Sequence, residues 1–328
     1  MLFLSRKEIE SCFSMRDAID SVEKSFSESF QGNIVSPLRT VMQAPDGVFL
    51  SMSAYMEKLG YAILKVVDIF PKNPECGLPA APSAVILFDG KTGIPLAYMD
   101  GTYITQLRTG GATGAAFRRL AREDARIGAM IGAGGQAEMQ IEAMLTVRHH
   151  MEEVRIADVS WERAEVLAAK MQKKYPNVRF VASADSSDAV READLIVTAT
   201  SSKKPTFPAG CVKKGVTVSA VGAFRPDMQE IDPIFVSTAD KIFCDSKEAV
   251  LAESGDIIIP MQNGDIAADF FIEDLAQVLL GYMVGRESDE QNILFETVGF
   301  AAEDLLTAAA IYERAVTGGY GFHWGEHE

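Results

Sequence analysis

Three glycines and an aspartate have the spacing of a phosphate-binding turn. They stand in Gly132-Ala133-Gly134-Gly135-Gln136-Ala137, directly after the apolar run Arg126–Ile131, and a helical stretch from Gln136 to about Val147 follows. In a turn of this kind the first glycine permits the tight bend. The second lets the backbone approach a pyrophosphate seated at the helix N-terminus. The third position must be small where helix meets strand, and Ala137 is small. Gly135 and Gln136 complete the loop. An acid should end the next strand about 20 residues on, and Asp158 does so. Its carboxylate would accept hydrogen bonds from ribose hydroxyls and repel a 2′-phosphate. Val159-Ser160 brings no adjacent arginine, so the pattern predicts NAD(H) rather than NADP(H). The competing readings are an incidental glycine turn and a solvated acid at a strand end.

Other residues offer proton and charge chemistry. Lys65 lies inside the apolar run Ala62–Val67, so it either serves a function or ends a strand facing water. Asp227 follows Pro226 in the loop after Val216–Val221. That is beyond the carboxyl end of a parallel strand, where such sheets bind ligands. It is either a proton-transfer group or an ordinary turn aspartate. Thr198 and Thr200 close the segment DLIVTAT and could touch the cofactor, although strand-end threonines are common. His149 and His150 are adjacent near the end of the helix after the glycine turn, and His323 and His327 sit in the final tail. The tail pair has a spacing that could chelate, but a disordered tail is the preferred reading and no metal is expected. No histidine accompanies a GxSxG signal, which leaves Ser-His hydrolase chemistry without support.

The elements that must position these groups alternate. Strands are predicted at Arg126–Ile131, Val154–Asp158, Arg179–Val181, Asp194–Ala199, Val216–Val221 and Lys241–Asp245, with helices between them such as Trp161–Lys173. The fold class is therefore α/β, a parallel sheet with helices on both faces. The N-terminal third differs. An amphipathic helix, Met15–Gln31, precedes extended segments at Leu38–Met42, Val48–Met52, Ala62–Ile69, Ala84–Phe88 and Pro95–Asp100, with turn signals at Pro45-Asp46-Gly47 and Asp89–Gly93. An antiparallel or mixed sheet is expected there. A helix from about Thr109 to Arg122 leads into the central domain, and Asn292–Thr317 reads as one long helix packing back on the N-terminal domain. The predicted division is 1–117 with 296–328, a substrate and dimerisation domain, around a Rossmann domain at 118–295.

Bulk properties narrow the partners. The chain has 328 residues and a formal net charge of −15, which disfavours nucleic acid as a partner. An anionic substrate must then be captured by a local basic cluster. No apolar run is long enough to cross a bilayer, and the charged start does not read as a signal peptide. Cys12, Cys76, Cys211 and Cys244 are far apart and read as reduced thiols of a cytoplasmic protein.

Nearly the whole chain resembles the ornithine cyclodeaminase/mu-crystallin family. The carrying segments include Leu64-Lys65-Val66, Phe70-Pro71-Lys72-Asn73, Gly77-Leu78-Pro79, Leu87-Phe88-Asp89 and Thr92–Pro95. Met99-Asp100-Gly101, Thr105–Gly110, the glycine turn, Val221–Glu230 and Thr297-Val298-Gly299 follow in family order. The resemblance implies a homodimer and a Rossmann domain beside a substrate domain completed by the C-terminal helix. It also implies that Arg39, Lys65 and Arg108 bind a substrate carboxylate, that Asp227 is the catalytic aspartate, and that Val298 lines the substrate pocket. Arg108, Thr113, Val221 and Thr297 fall among its cofactor-side positions. Read without the family, Arg39 is a solvated edge charge, Arg108 a helix cap or surface ion pair, and Thr297 a buried helical hydroxyl. Asp227 is expected to feel burial and the basic cluster of Arg39, Lys65 and Arg108 in opposing senses.

The implied chemistry is carbon–nitrogen bond making or breaking at the α-carbon of a small amino or imino acid. An amino-acid dehydrogenase or imine reductase is the first reading. A cyclodeaminase uses the same machine but needs a group to orient a distal ammonium, plausibly an acid. The segment from Val48 offers Ser51, Met52, Ser53 and Met56 but no carboxylate until Glu57, which favours the first reading. Ala80, where many relatives carry threonine, is a further departure. A dinucleotide-dependent binding protein of the mu-crystallin kind is the third reading. Retention of a proton-transfer aspartate argues against it.

Overall fold

The computed structural model describes residues 1–267 and 270–325. The chain divides into two compact units, Met1–Gly111 with Phe300–Glu328, and Ala112–Gly299.

The first unit is built on a seven-stranded sheet. Its elements in chain order are β1 (Leu2–Leu4), α1 (Arg6–Cys12), α2 (Met15–Phe30), β2 (Thr40–Ala44), β3 (Gly47–Met56), β4 (Tyr61–Ile69), β5 (Ser83–Asp89) and β6 (Pro95–Asp100). Strands β2 to β6 form an antiparallel meander in which each turn signal becomes a connection. β1 then pairs with β6 in parallel, so the sheet is mixed. α2 is capped by Ser14 and buries Ala18, Ile19, Val22 and Phe26. The last segment of the unit returns to it, and Phe300 stacks on Phe26 with ring centroids 6.0 Å apart.

α3 (Gly101–Leu120) runs across the division. It starts eight residues before the expected Thr109, because the Asp100 carboxylate accepts the Tyr103 N–H and caps a first turn that glycine and threonine propensities disfavour. The second unit continues with β7 (Ile127–Ile131), α4 (Ala137–Val147), β8 (Glu153–Ala157), α5 (Trp161–Lys174), β9 (Arg179–Ser183), α6 (Ser186–Val190), β10 (Leu195–Thr198) and β11 (Thr217–Ala220). α7 (Pro233–Thr238), β12 (Lys241–Cys244), α8 (Lys247–Glu253), α9 (Gly255–Asn263), β13 (Glu273–Asp274), α10 (Leu275–Leu279) and β14 (Ile293–Glu296) complete it. Every pairing in this eight-stranded sheet is parallel, in the order β13-β12-β14-β11-β10-β7-β8-β9. This is the Rossmann arrangement, with β7 and β10 side by side where the strand order reverses.

The expected helix over Asn292–Thr317 is two elements. Ile293–Glu296 is β14, inserted between β11 and β12, and the helix α11 occupies Ala301–Gly318. Gly299, at φ 71°, makes the break between them. Four apolar or apolar-flanked residues fit either period, and full burial in the centre of a parallel sheet decides for the strand. α11 packs on α2, β3 and β4. The tail that was expected to be disordered forms β15 (Phe322–His323), antiparallel to β1. His323 is thereby a strand residue, and His327 lies outside the described residues. Among the described residues no group of three His, Cys, Asp or Glu is arranged for a metal ion, and no helix is long and apolar enough to cross a membrane.

Candidate active site

Lys65 is in the middle of β4, fully buried, so it is not a strand-end residue facing water. Its cross-strand neighbours are Met52 on β3 and Val85 on β5. Residues directly opposite share a face of the sheet, so the ammonium sits in an apolar row. Its charge is answered from a distant part of the sequence. Asp304 in the first turn of α11 accepts a hydrogen bond from Lys65 Nζ at 2.5 Å. Arg108, on α3, reaches the same turn. Its guanidinium donates to Glu303 Oε2 at 2.9 Å, and Nε lies 3.2 Å from Asp304 Oδ1. Arg108 is therefore in a buried ion-pair group rather than a cap or a surface pair. Arg39 precedes the edge strand β2, is half-buried, and adds to the positive field at Lys65. Burial, and then the Arg108 charge, push the Lys65 ammonium down to about 8, with Asp304 opposing them.

In the second unit the glycine turn has room for a dinucleotide. Gly132 has φ +101°, and a Cβ there would meet the Ala199 carbonyl oxygen at 2.6 Å. Gly134 and Gly135 are exposed, and a Cβ on Gly134 would meet nothing within 4 Å. The backbone is thus bare on the side a pyrophosphate would approach, at the start of the 11-residue α4. Gln136 is the residue before the helix, and Ala137 is fully buried against the sheet. Asp158 follows β8, and its Oδ2 accepts the Ala133 N–H at 2.7 Å, tying the turn to the strand end. Its other oxygen accepts from Ser160 N–H at 2.8 Å and from the Arg163 guanidinium at 2.6 Å. Val159 and Ser160 bring no arginine, but one reaches Asp158 from further along the chain. Arg163 lies in the first turn of α5 and reaches back to Asp158. These residues fit a dinucleotide, with the glycine turn for the pyrophosphate and Asp158 for the ribose.

The remaining cofactor-side candidates in this unit are already bonded, and all but the half-buried Thr200 are buried. Thr113 Oγ1 is 2.8 Å from Ser219 Oγ. Thr198 Oγ1 donates to Glu230, as do the N–H groups of Thr200 and Gly222. Glu230 thus ties together the loops that leave β10 and β11, and burial pushes its carboxyl up. Val221 is buried just past β11. Thr297 is not helical. It follows β14 and donates to Asp245 Oδ2 at 2.7 Å, which also accepts the Gly299 N–H. Val298 between them is buried.

Asp227 stands in the loop after β11, beyond the carboxyl end of that strand. Its side chain is 52% exposed, 2.8 Å from Lys203 Nζ and 3.1 Å from Arg225 Nε. The Lys203 ammonium, followed by the Arg225 guanidinium, holds its carboxyl below the usual carboxylate range, with partial burial opposing them. The opposing cations are Lys203 and Arg225 rather than the expected cluster of Arg39, Lys65 and Arg108, and they prevail because the carboxyl is half in water.

A family model described as ornithine cyclodeaminase/mu-crystallin matches residues 1–319. The chain belongs to this family. Among its relatives, a Delta(1)-pyrroline-2-carboxylate reductase of Bacillus cereus is 36% identical over 323 residues, covering 98% of each chain. The Thermococcus litoralis Delta(1)-pyrroline-2-carboxylate reductase, solved in complex with NADH and L-proline, superposes with a TM-score of 0.95 at 38% identity, covering 99% of this chain and 100% of that one. An archaeal alanine dehydrogenase dimer with bound NAD superposes with a TM-score of 0.90 at 34% identity, covering 98% of both. The family resemblance pointed to the basic residues of the site. It did not point to Glu303 and Asp304, which answer them, or to Arg163 and Asp245. The acid pair Glu303-Asp304 marks the first turn of α11, a signal hidden by the expectation that the helix begins at Asn292.

Proposed function

We propose that this family member is an NAD(H)-dependent oxidoreductase that acts on the carbon–nitrogen bond at the α-carbon of a small amino or imino acid. Working as a cyclic imine reductase or an amino-acid dehydrogenase is the preferred form. The observation that carries this reading is the buried Lys65–Arg108 pair beside an apolar strand row. Arginine can grip a carboxylate through parallel hydrogen bonds, and lysine adds a compact charge. With Arg39 they hold the substrate α-carboxylate and so fix the α-carbon. When bound, NAD(H) supplies or accepts the hydride at that carbon. Asp227, kept anionic by Lys203 and Arg225, steadies the positive iminium nitrogen and accepts a proton from attacking water in the oxidative direction.

A cyclodeaminase would have to orient a second ammonium. Across the strands from Lys65 stand Met52 and Val85, and Glu303 and Asp304 already answer Lys65 and Arg108. That arrangement favours a substrate whose side chain is apolar or closed into a ring. A homodimer belongs to the same reading. β2 is an outermost strand with Val41 52% and Met42 60% exposed, an edge that a second copy would cover. So does a cytoplasmic location, since all four cysteines are free thiols.

The test is a substrate panel: pyrroline-2-carboxylate and piperideine-2-carboxylate with NADH, pyruvate plus ammonia with NADH, and L-ornithine with NAD⁺. Oxidation of NADH by an imino acid, in preference to NADPH, is the expected result. Ammonia release from L-ornithine without net NADH would select the cyclodeaminase instead. Turnover with NADPH alone would contradict the role of Asp158.

A further inference from the structure

We propose that Glu303 and Asp304 are positioning residues of the carboxylate grip, Asp304 holding Lys65 in place as an ammonium and Glu303 fixing the Arg108 guanidinium. The inference rests on the reading of Lys65 and Arg108 as substrate-carboxylate ligands.

Both acids are fully buried in the first turn of α11, where the helix N-terminus favours negative charge. Glu303 is shared between two tasks. Oε1 accepts the Phe300 N–H at 3.3 Å and closes the first turn, while Oε2 accepts from Arg108 at 2.9 Å. The Arg108 contact is therefore anchored to the start of a helix of 18 residues. Asp304 spans both cations, with Oδ2 2.5 Å from Lys65 Nζ and Oδ1 3.2 Å from Arg108 Nε. A lysine ammonium has three donors. Asp304 takes one, so the remaining donors can serve a ligand carboxylate while the nitrogen stays where it is.

Burying four charges in this way is a poor means of gaining stability, because well-packed apolar residues often do as well or better. Its value lies in geometry and in protonation. The groups that act most strongly on Lys65 are Asp304 from α11, Arg108 from α3, and Arg39 from the segment before β2, with Glu303 beyond them on Arg108, while β3 and β5 present Met52 and Val85. Of the groups acting most strongly, only Asp304 favours the charged form. Burial, Arg108 and Arg39 all oppose it. Without Asp304 the ammonium would lose its proton at a lower pH, and above it a substrate carboxylate would meet an amine.

The test uses the full-length protein with NADH and the best imino acid of the panel. In the wild type, kcat/KM should fall as pH rises through about 8, the Lys65 value. Asp304→Asn should move that fall down by one pH unit or more and raise KM about tenfold or more at neutral pH. Below the shifted fall, kcat should change much less. Asp304→Glu, which keeps the charge, should restore the wild-type position of the fall. Glu303→Gln should raise KM without moving it. NADH affinity, read by fluorescence titration, serves as the check of folding. An unmoved fall in Asp304→Asn, or an Asp304→Glu profile that matches Asn, overturns the assignment of Asp304. If Asp304→Asn does not fold, an unchanged KM in Glu303→Gln overturns the role of the pair. A wild type silent on every imino and amino acid of the panel would instead overturn the functional reading itself.

Discussion

Replacing Lys65 by methionine is expected to lower kcat/KM by about 10²–10³-fold, equivalent to about 3–4 kcal/mol. Most of the loss should appear in KM, because the side chain grips a carboxylate present in both the ground state and the transition state. The same change leaves Asp304 buried with Arg108 as its ion-pair partner among the described residues, since the Lys65 contact at 2.5 Å is gone. Breaking a buried pair from one side costs about 3 kcal/mol of folding stability. A second substitution separates the two effects. Lys65→Met with Asp304→Leu removes the orphaned charge, and apolar replacements of a buried pair are often neutral or stabilising. The double variant should regain most of the lost stability while turnover stays low. Chemical denaturation and steady-state kinetics on the two variants check this. Recovery of activity along with stability would show that Lys65 matters only for packing.

Asp227→Asn should reduce kcat by about 10²–10⁴-fold with little change in NADH affinity. The residue is half exposed and lies between Lys203 and Arg225, so the substitution disturbs no buried partner and should cost little stability. What it removes is the negative charge. The Lys203 contact holds the carboxyl below its usual range, so Asp227 is ionised throughout the neutral region and is lost as an anion only in acid. The sign follows directly. Any limb of the rate profile due to Asp227 lies on the acid side, and that due to Lys65 on the alkaline side, near 8. Kinetics of Asp227→Asn from pH 5 to 9 check both statements. Turnover at the wild-type rate would contradict the role given to Asp227.

The sequence was most legible where the signal is local. The glycine turn, the acid at the next strand end and the small Ala137 all fall within one strand–helix–strand unit, and each has a single steric or electrostatic reason. The antiparallel meander was legible for the same reason, since its turns are written in Asp, Pro and Gly. Residues that act across the chain were not. Asp304 is 239 positions from Lys65, and nothing in the spacing of either predicts the contact. The family pattern drew attention to the cations alone. Ile293–Glu296 reads as part of a helix because a short apolar run has no period of its own, and its place between β11 and β12 is a tertiary fact. The residues next to Asp158 do not disclose Arg163, because a long side chain one helical turn on reaches back.

The most direct measurement of the central claim is the fate of the hydride. With NADH deuterated at the transferable C4 position and the best imino acid of the panel, the amino-acid product should carry one deuterium at its α-carbon, in step with NADH oxidised. Product without deuterium there, or turnover with no net change in NADH, would contradict an oxidoreductase acting on the carbon–nitrogen bond at the α-carbon.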